Sequence, residues 1–184
     1  MAVQSSMLPL GTPLPSFRLT DTVSGQSVAA GDFGGRPLVV AFICNHCPYV
    51  KRIREGLAAF GRFASEKQVG FVGISSNDTV TYPDDAPDKM ALEARDAGWT
   101  FPYLFDETQD TARAFQAACT PEFYVFDALG KLAYRGQFDE ARPKNDAPVT
   151  GADVRAAVEA LLAGRAPASE QKPSIGCSIK WKAG

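Results

Sequence analysis

Two cysteines separated by two residues are the strongest chemical signal in this 184-residue chain. Cys44 and Cys47 follow a short apolar run, 37–43, whose β-branched residues predict a strand buried on both faces. Apolar side chains then recur at helical spacing from Val50 to Ala64, which predicts a helix starting beside the pair. Unpaired N–H groups at a helix N-terminus stabilise a thiolate, so we expect the pKa of Cys44 to lie below the free value of about 8.5.

The second sulfur gives the pair a redox function. Cys47 lies about one helical turn beyond Cys44, close enough to attack a mixed disulfide formed on Cys44. We therefore expect Cys44 to be the nucleophile and Cys47 the resolving thiol of a dithiol–disulfide couple. His46 lies between them, and its imidazole would favour the thiolate by positive charge or a hydrogen bond, which makes the disulfide more oxidising.

Other interpretations of the pair stay open. An inert buried pair is one. A zinc site is another, although such sites usually have four Cys or His ligands in two clusters, and only His46, Cys119 and Cys177 remain. Thiolates also suit Cu(I), so a copper or zinc module using Cys44 and Cys47, with His46 or Cys119, is an alternative function. A further alternative function is a thiol peroxidase, in which Cys44 is oxidised to sulfenic acid and Cys47 condenses onto it.

Composition limits the class of protein. A content of 45% hydrophobic and 22% charged residues is typical of a soluble one-domain protein, and a net charge of −2 gives no support for nucleic-acid binding. No apolar stretch approaches the roughly 20 residues that span a bilayer, and Met1–Gly11 lacks the pattern of a signal peptide, so we expect no membrane association and a cytoplasmic location. In that reducing compartment cysteines favour catalysis over structural disulfides. With no Gly-rich phosphate loop in the chain, we predict no organic cofactor, and no resident metal.

The pattern along the chain predicts an α/β fold with a mixed sheet. Ser16–Thr20 and Gln26–Ala29 predict an N-terminal hairpin. The strand at 37–43, the helix to about Lys67 and a strand at 69–74 form a βαβ unit with parallel strands. Further elements are helices at 90–97, at 110–118 and from a capping box at Thr150 and Asp153 to Gly164, and a hairpin of 122–127 with 131–136.

The element order, with Cys44-Asn45-His46-Cys47-Pro48 and the later Thr120-Pro121, resembles the thioredoxin fold. In that superfamily such a Thr-Pro step carries a cis proline packed against the cysteine pair, and Pro121 matches its position. The resemblance implies a thioredoxin-like domain over residues 1–165, with a central mixed sheet flanked by helices and an N-terminal hairpin extension. It also implies a tail, 166–184, packed on or near that domain.

Three further segments resemble a narrower family. Pro15-Ser16-Phe17-Arg18-Leu19, the loop from Asn77 to Pro83 and the closing Gly176-Cys177-Ser178-Ile179-Lys180-Trp181 look like bacterial AhpC/TSA (alkyl hydroperoxide reductase and thiol-specific antioxidant) and TlpA/ResA-like proteins. This implies an antioxidant-type thiol:disulfide oxidoreductase that acts on protein or small-molecule disulfides or peroxides and is restored by a cellular thiol reductant. Peroxiredoxins have a Thr where this chain has Cys44, a departure that argues against direct peroxidase action.

The residue that accepts or donates the proton during thiol–disulfide exchange is less evident. Thioredoxin-like proteins often bury an acid on the strand before the pair, yet no Asp or Glu lies between Phe33 and Arg54. By the fold resemblance the nearest candidate is Glu122, directly after Pro121, which we include with the cysteines, His46 and Pro121 among the catalytic candidates. The residues that we expect to line the binding site beside the pair are Asn45, Asn77, Cys119 and Thr120.

Overall fold

The computed structural model describes residues 2–183 as an α/β domain. Its strands are β1 (Ala2–Gln4), β2 (Arg18–Asp21), β3 (Ser27–Ala29), β4 (Leu38–Phe42), β5 (Gly70–Ser75), β6 (Tyr103–Phe105), β7 (Cys119–Thr120), β8 (Glu122–Phe126), β9 (Leu132–Gly136) and β10 (Ile175–Ser178). Its helices are α1 (Pro48–Glu66), α2 (Pro87–Asp96), α3 (Asp110–Ala114) and α4 (Ala152–Leu162). Among these helices none is long and apolar enough to cross a membrane.

The main sheet has seven strands in the order β3-β2-β6-β5-β4-β8-β9. The strands β4, β5 and β6 run parallel, whereas β8 pairs antiparallel with β4 and β2 forms a hairpin with β3. The predicted mixed α/β sheet with an N-terminal hairpin is therefore confirmed. β4 lies between β5 and β8, which explains why all five of its residues are buried and why its sequence is a continuous apolar run.

Side chains of β4 point alternately into two apolar layers. Val39 and Ala41 join the layer that contains α1, whose buried stripe includes Ile53 and Leu57. The other β4 side chains join the layer on the opposite face, which Phe115 fills. Because both faces of β4 are covered, the end of this strand is held rigidly, and the cysteine pair follows directly.

A second, three-stranded sheet has the order β1-β10-β7. Cys177 of β10 pairs with Ala2 on one side and with Thr120 on the other. The backbones of β10 and β7 approach closely because residue 176 is glycine; a Cβ there would overlap the Thr120 carbonyl group. The sequence predicted neither β1 nor β10, and the division of the chain at residue 165 stays a prediction.

Two predicted helix ends are wrong. The helix predicted at 110–118 ends at Ala114. The final helix has Gly151, at φ +65°, as its N-cap instead of Thr150. The reason is Asp139, whose carboxylate accepts the N–H groups of both Thr150 and Gly151 at 2.7 Å, while Asp153 accepts a bond from Gln137 at 2.6 Å. The predicted capping box therefore does not form.

Candidate active site

The cysteine pair lies where parallel strands end. Cys44 follows the last residue of β4 by two positions, and Asn77 follows the last residue of β5 by two positions. β8 runs the other way and begins at the same edge, with Glu122 opposite Phe42. The Thr120–Pro121 peptide bond just before it is cis, as the resemblance implied. Loops beyond the carboxyl ends of parallel strands are the usual place for a site in an α/β sheet.

Thr120 contacts both sulfurs of the pair. Its hydroxyl lies 3.4 Å from the Cys44 Sγ, and its carbonyl oxygen accepts a hydrogen bond from the Cys47 Sγ at 3.2 Å. Both thiols are free, and their residues are only 1% and 0% exposed. Thr120 therefore fixes the two reduced sulfurs side by side beneath the surface.

The helix begins later than the sequence predicted, and this changes the expected pKa values. α1 starts at Pro48 with Cys47 as its N-cap, so Cys44 is not at the helix terminus. The hydrogen bond from Cys44 lowers the pKa of Cys47 to about 5. The same bond, together with burial and the charge of Asp85, raises the pKa of Cys44 well above its ordinary value. The prediction of a low pKa at Cys44 is therefore wrong: the pKa is raised at Cys44 and lowered at Cys47.

The imidazole of His46 is held by a buried carboxylate. Its Nδ1 lies 2.6 Å from Oδ2 of Asp85, whose side chain is fully buried, while the His46 side chain is 23% exposed. The His46 ring also stacks on Tyr82, with ring centroids 5.2 Å apart. An imidazole fixed by a carboxylate keeps one orientation and one tautomer, so its free nitrogen is available for proton transfer.

Asp85 joins three parts of the site. Besides the imidazole, it accepts the backbone N–H of Asn45 at 2.8 Å and of His46 at 3.2 Å, and the side-chain amide of Asn77 at 2.8 Å. Asn77 in turn accepts the N–H of Lys180 at 2.9 Å. The expected site residues Asn45 and Asn77 thus lie beside the pair, linked through a carboxylate that sequence reasoning did not identify.

One sequence signal pointed to Asp85. The polar loop at 77–88 follows the buried strand at 69–74, which neighbours the strand before the cysteines. Parallel strands end at the same edge, so this loop had to face the cysteine pair. Asp85 is one of several acids in the loop, and the pattern alone does not distinguish it from the exposed Asp84.

Glu122 and Cys119 belong to a neighbouring buried cluster. The Glu122 carboxylate accepts the N–H groups of Ala118 and Cys119 at 2.8 and 3.2 Å and the Tyr124 hydroxyl at 2.7 Å. Burial, followed by the nearby Glu122 charge, raises the pKa of Cys119. Both groups therefore have contacts that hold β7 to β8, and a catalytic role for Glu122 stays a prediction.

Three donor atoms at the site are arranged so that they could hold a metal ion. Ligand atoms of Cys44, His46 and Asp85 all lie within 4.8 Å of one another. Sulfur, imidazole nitrogen and carboxylate oxygen are all ligands that zinc accepts. The second cysteine of the pair lies next to this set, since the sulfurs of Cys44 and Cys47 both contact Thr120.

The sequence matches the AhpC/TSA family over residues 10–135, a span that includes the cysteine pair, Asp85 and the cis proline. Among curated proteins none matches it.

Two similar solved structures share nearly the whole chain. An uncharacterised conserved protein from Geobacillus kaustophilus is 50% identical, with a TM-score of 0.97 over 100% of this chain and 98% of that one. A hypothetical protein from Sinorhizobium meliloti is 44% identical, with a TM-score of 0.95 over 98% of this chain and 99% of the other. A thioredoxin-family thiol:disulfide interchange protein from Chlorobium tepidum is 19% identical, with a TM-score of 0.64 over 84% of this chain and 99% of that one, which shows the shared fold.

Asp85→Asn tests the buried carboxylate. After the bond to Cys47 and burial, the Asp85 charge is what raises the pKa of Cys44, so we expect that pKa to fall in the variant. We also expect the free energy of unfolding to fall by about 1–3 kcal/mol, because hydrogen bonds of a buried group are lost. Thiolate absorbance during pH titration and chemical denaturation measure the two effects.

The matched control is Asp84→Asn, which makes the same charge change at an exposed neighbouring residue. Asp84→Asn should alter the pKa of Cys44 and the free energy of unfolding far less than Asp85→Asn does. Equal effects of the two substitutions would contradict the assigned role of Asp85.

Cys44→Ala tests the effect of Cys44 on the pKa of Cys47. This change removes the largest cause of the low Cys47 pKa, so the pKa should rise from about 5, and the thiolate should disappear at a higher pH on acidification. Cys44→Ser retains a donor and should cause a smaller rise. Thiolate absorbance during acid titration gives the midpoint for each protein, and identical midpoints in all three would show that Cys44 does not lower the pKa of Cys47.

Proposed function

The chain belongs to the AhpC/TSA family, and from this premise we propose that it is a thiol:disulfide oxidoreductase using a Cys44/Cys47 couple. The observation that carries the proposal is the contact of both free thiols with one residue, Thr120. Each cysteine is also the largest cause of the shift in the pKa of the other, which supports a close approach of the two side chains. Two sulfurs held in this way can form a disulfide with little movement of the backbone.

The proposed reaction is a two-step exchange. The Cys44 thiolate attacks one sulfur of a disulfide substrate; a mixed disulfide forms, and the other substrate sulfur leaves as a thiolate. The Cys47 thiolate then attacks the Cys44 Sγ, the Cys44–Cys47 bond forms, and the second substrate thiolate leaves. Two electrons pass from the pair to the substrate, and a cellular thiol reductant returns them.

Attack by Cys44 requires the loss of its proton. We assign the acceptor role to the imidazole of His46, because its ring lies in the same cluster as the Cys44 sulfur and is partly exposed to water. Asp85 is the positioning residue that fixes the ring. This pair of residues takes the role that sequence reasoning gave to Glu122. Cys47 is the N-cap of α1, and its sulfur lies on Thr120 beside Cys44, which suits the resolving step.

The proposal extends to an antioxidant-type role, to the substrate and to the location of the protein. The half-exposed edge formed by Asn45 and His46 suits a disulfide of a protein or a small molecule. A cytoplasmic location would supply the thiol reductant that returns electrons to the pair.

A redox titration tests the proposal. The reduced protein is equilibrated across glutathione buffers, its free thiols are alkylated, and its disulfides are mapped by mass spectrometry. We expect one reversible two-electron bond between Cys44 and Cys47, and Cys47→Ser should trap a stable mixed disulfide on Cys44.

The proposal fails if this bond never forms, or if Cys44 pairs only with Cys119 or Cys177. Rapid consumption of hydrogen peroxide without reduction of disulfide substrates would indicate a thiol peroxidase instead. A mixed disulfide that accumulates only on Cys47, in the Cys44→Ser variant, would reverse the two assigned roles.

A second candidate function is metal binding, favoured by the ligand set of Cys44, His46 and Asp85. With Cys47 as a fourth ligand the set would fit zinc. Titration of the reduced protein with zinc against a chromophoric chelator measures the affinity. A metal module should bind one ion, and His46→Ala should weaken binding by at least about tenfold, as loss of a ligand does. If zinc binds weakly and His46→Ala does not change the affinity, this candidate function is eliminated.

A further inference from the structure

We propose that Cys177 is a third redox thiol. It exchanges with the Cys44–Cys47 disulfide and thereby transfers the disulfide to a residue nearer the protein surface. The inference rests on the proposed function and adds to it the point at which partner thiols gain access.

The first observation is the position of Cys177 on β10. This strand pairs antiparallel with β7, and Cys177 lies opposite Thr120, the residue that contacts both sulfurs of the pair. Cys177 and Cys47 also lie close enough for each to affect the pKa of the other. Cys177 also packs against the apolar layer that contains both cysteines of the pair.

The second observation is the close fixation of β10 on both edges. At Gly176 a Cβ would overlap the Thr120 carbonyl and lie 3.1 Å from the Pro121 nitrogen, so only glycine permits this approach. The opposite edge of β10 pairs with β1, where Ala2 lies opposite Cys177. The third sulfur is therefore held in place and does not depend on the movement of a free tail.

The third observation is exposure. Cys44 and Cys47 are 1% and 0% exposed, whereas Cys177 is partly exposed. Exchange requires the attacking sulfur to reach the disulfide, and access to the sulfur controls its rate. Among Cys44, Cys47 and Cys177, the last is the most exposed, so a partner thiol gains access to it most readily.

The exchange is balanced within the protein. The Cys177 thiolate attacks the Cys47 Sγ of the Cys44–Cys47 disulfide, the Cys47–Cys177 bond forms, and Cys44 leaves as a thiolate and takes a proton. No electrons enter or leave. A partner thiolate then attacks the partly exposed Cys177 sulfur, and Cys47 departs as the thiolate. The partner's second thiol releases Cys177, and the protein is reduced.

Burial raises the pKa of Cys177 to about 11, so little of it is thiolate at neutral pH. We therefore expect its exchange to be slow, and its test is made at equilibrium. The Cys44→Ser variant leaves Cys47 and Cys177 as the adjoining thiols. It is equilibrated with glutathione disulfide, quenched with acid, alkylated and mapped by mass spectrometry. We expect a Cys47–Cys177 disulfide, with two glutathione thiols released for each bond formed.

Two further proteins make the result decisive. Cys44→Ser/Cys177→Ser should lose the protein disulfide and carry glutathione on Cys47, while circular dichroism checks that each variant is folded. Cys177→Ser alone should still form the Cys44–Cys47 bond; if it does not, the proposed function fails. If that bond forms but Cys44→Ser yields only glutathione on Cys47, or a Cys47–Cys119 bond, Cys177 is not the third thiol.

Discussion

One buried charge organises the site. The carboxylate of Asp85 is fully buried and accepts hydrogen bonds from the backbone of Asn45 and His46, from the imidazole and from Asn77. A carboxylate without such partners would cost several kcal/mol to bury, so the loop that carries it is stable only when docked on the cysteine loop. Two segments far apart in the sequence are thereby fixed against each other.

Thr120 fixes the other side of the pair. Its hydroxyl and carbonyl oxygens hold the two sulfurs, and its strand partner is Cys177. The reactive atoms thus lie between a polar cluster on one side and a backbone segment on the other. The first supplies charge and a proton acceptor, whereas the second sets the positions of the sulfurs. Neither depends on the surface loops farther from the site.

Sequence periodicity predicted the elements that are long and buried. β4, α1 and β5 have continuous apolar runs or a helical stripe, so their patterns are strong. β1, β6 and β10 have three or four residues each, and their pairing is set by neighbours that are distant along the chain. Which of the two cysteines has the lowered pKa depends on the side chains that surround each sulfur, and sequence spacing does not contain that arrangement.

The order of synthesis determines when the small sheet β1-β10-β7 can form. A ribosome makes the segment with Cys44, Cys47 and Thr120 well before β10, and domains begin to fold as they emerge. Until β10 arrives, the β7 edge beside the thiols has no strand to cover it on that side. A nascent chain therefore has the Cys44–Cys47 pair beside an open flank, and the arrival of the last described strand both closes that flank and brings Cys177 to the pair.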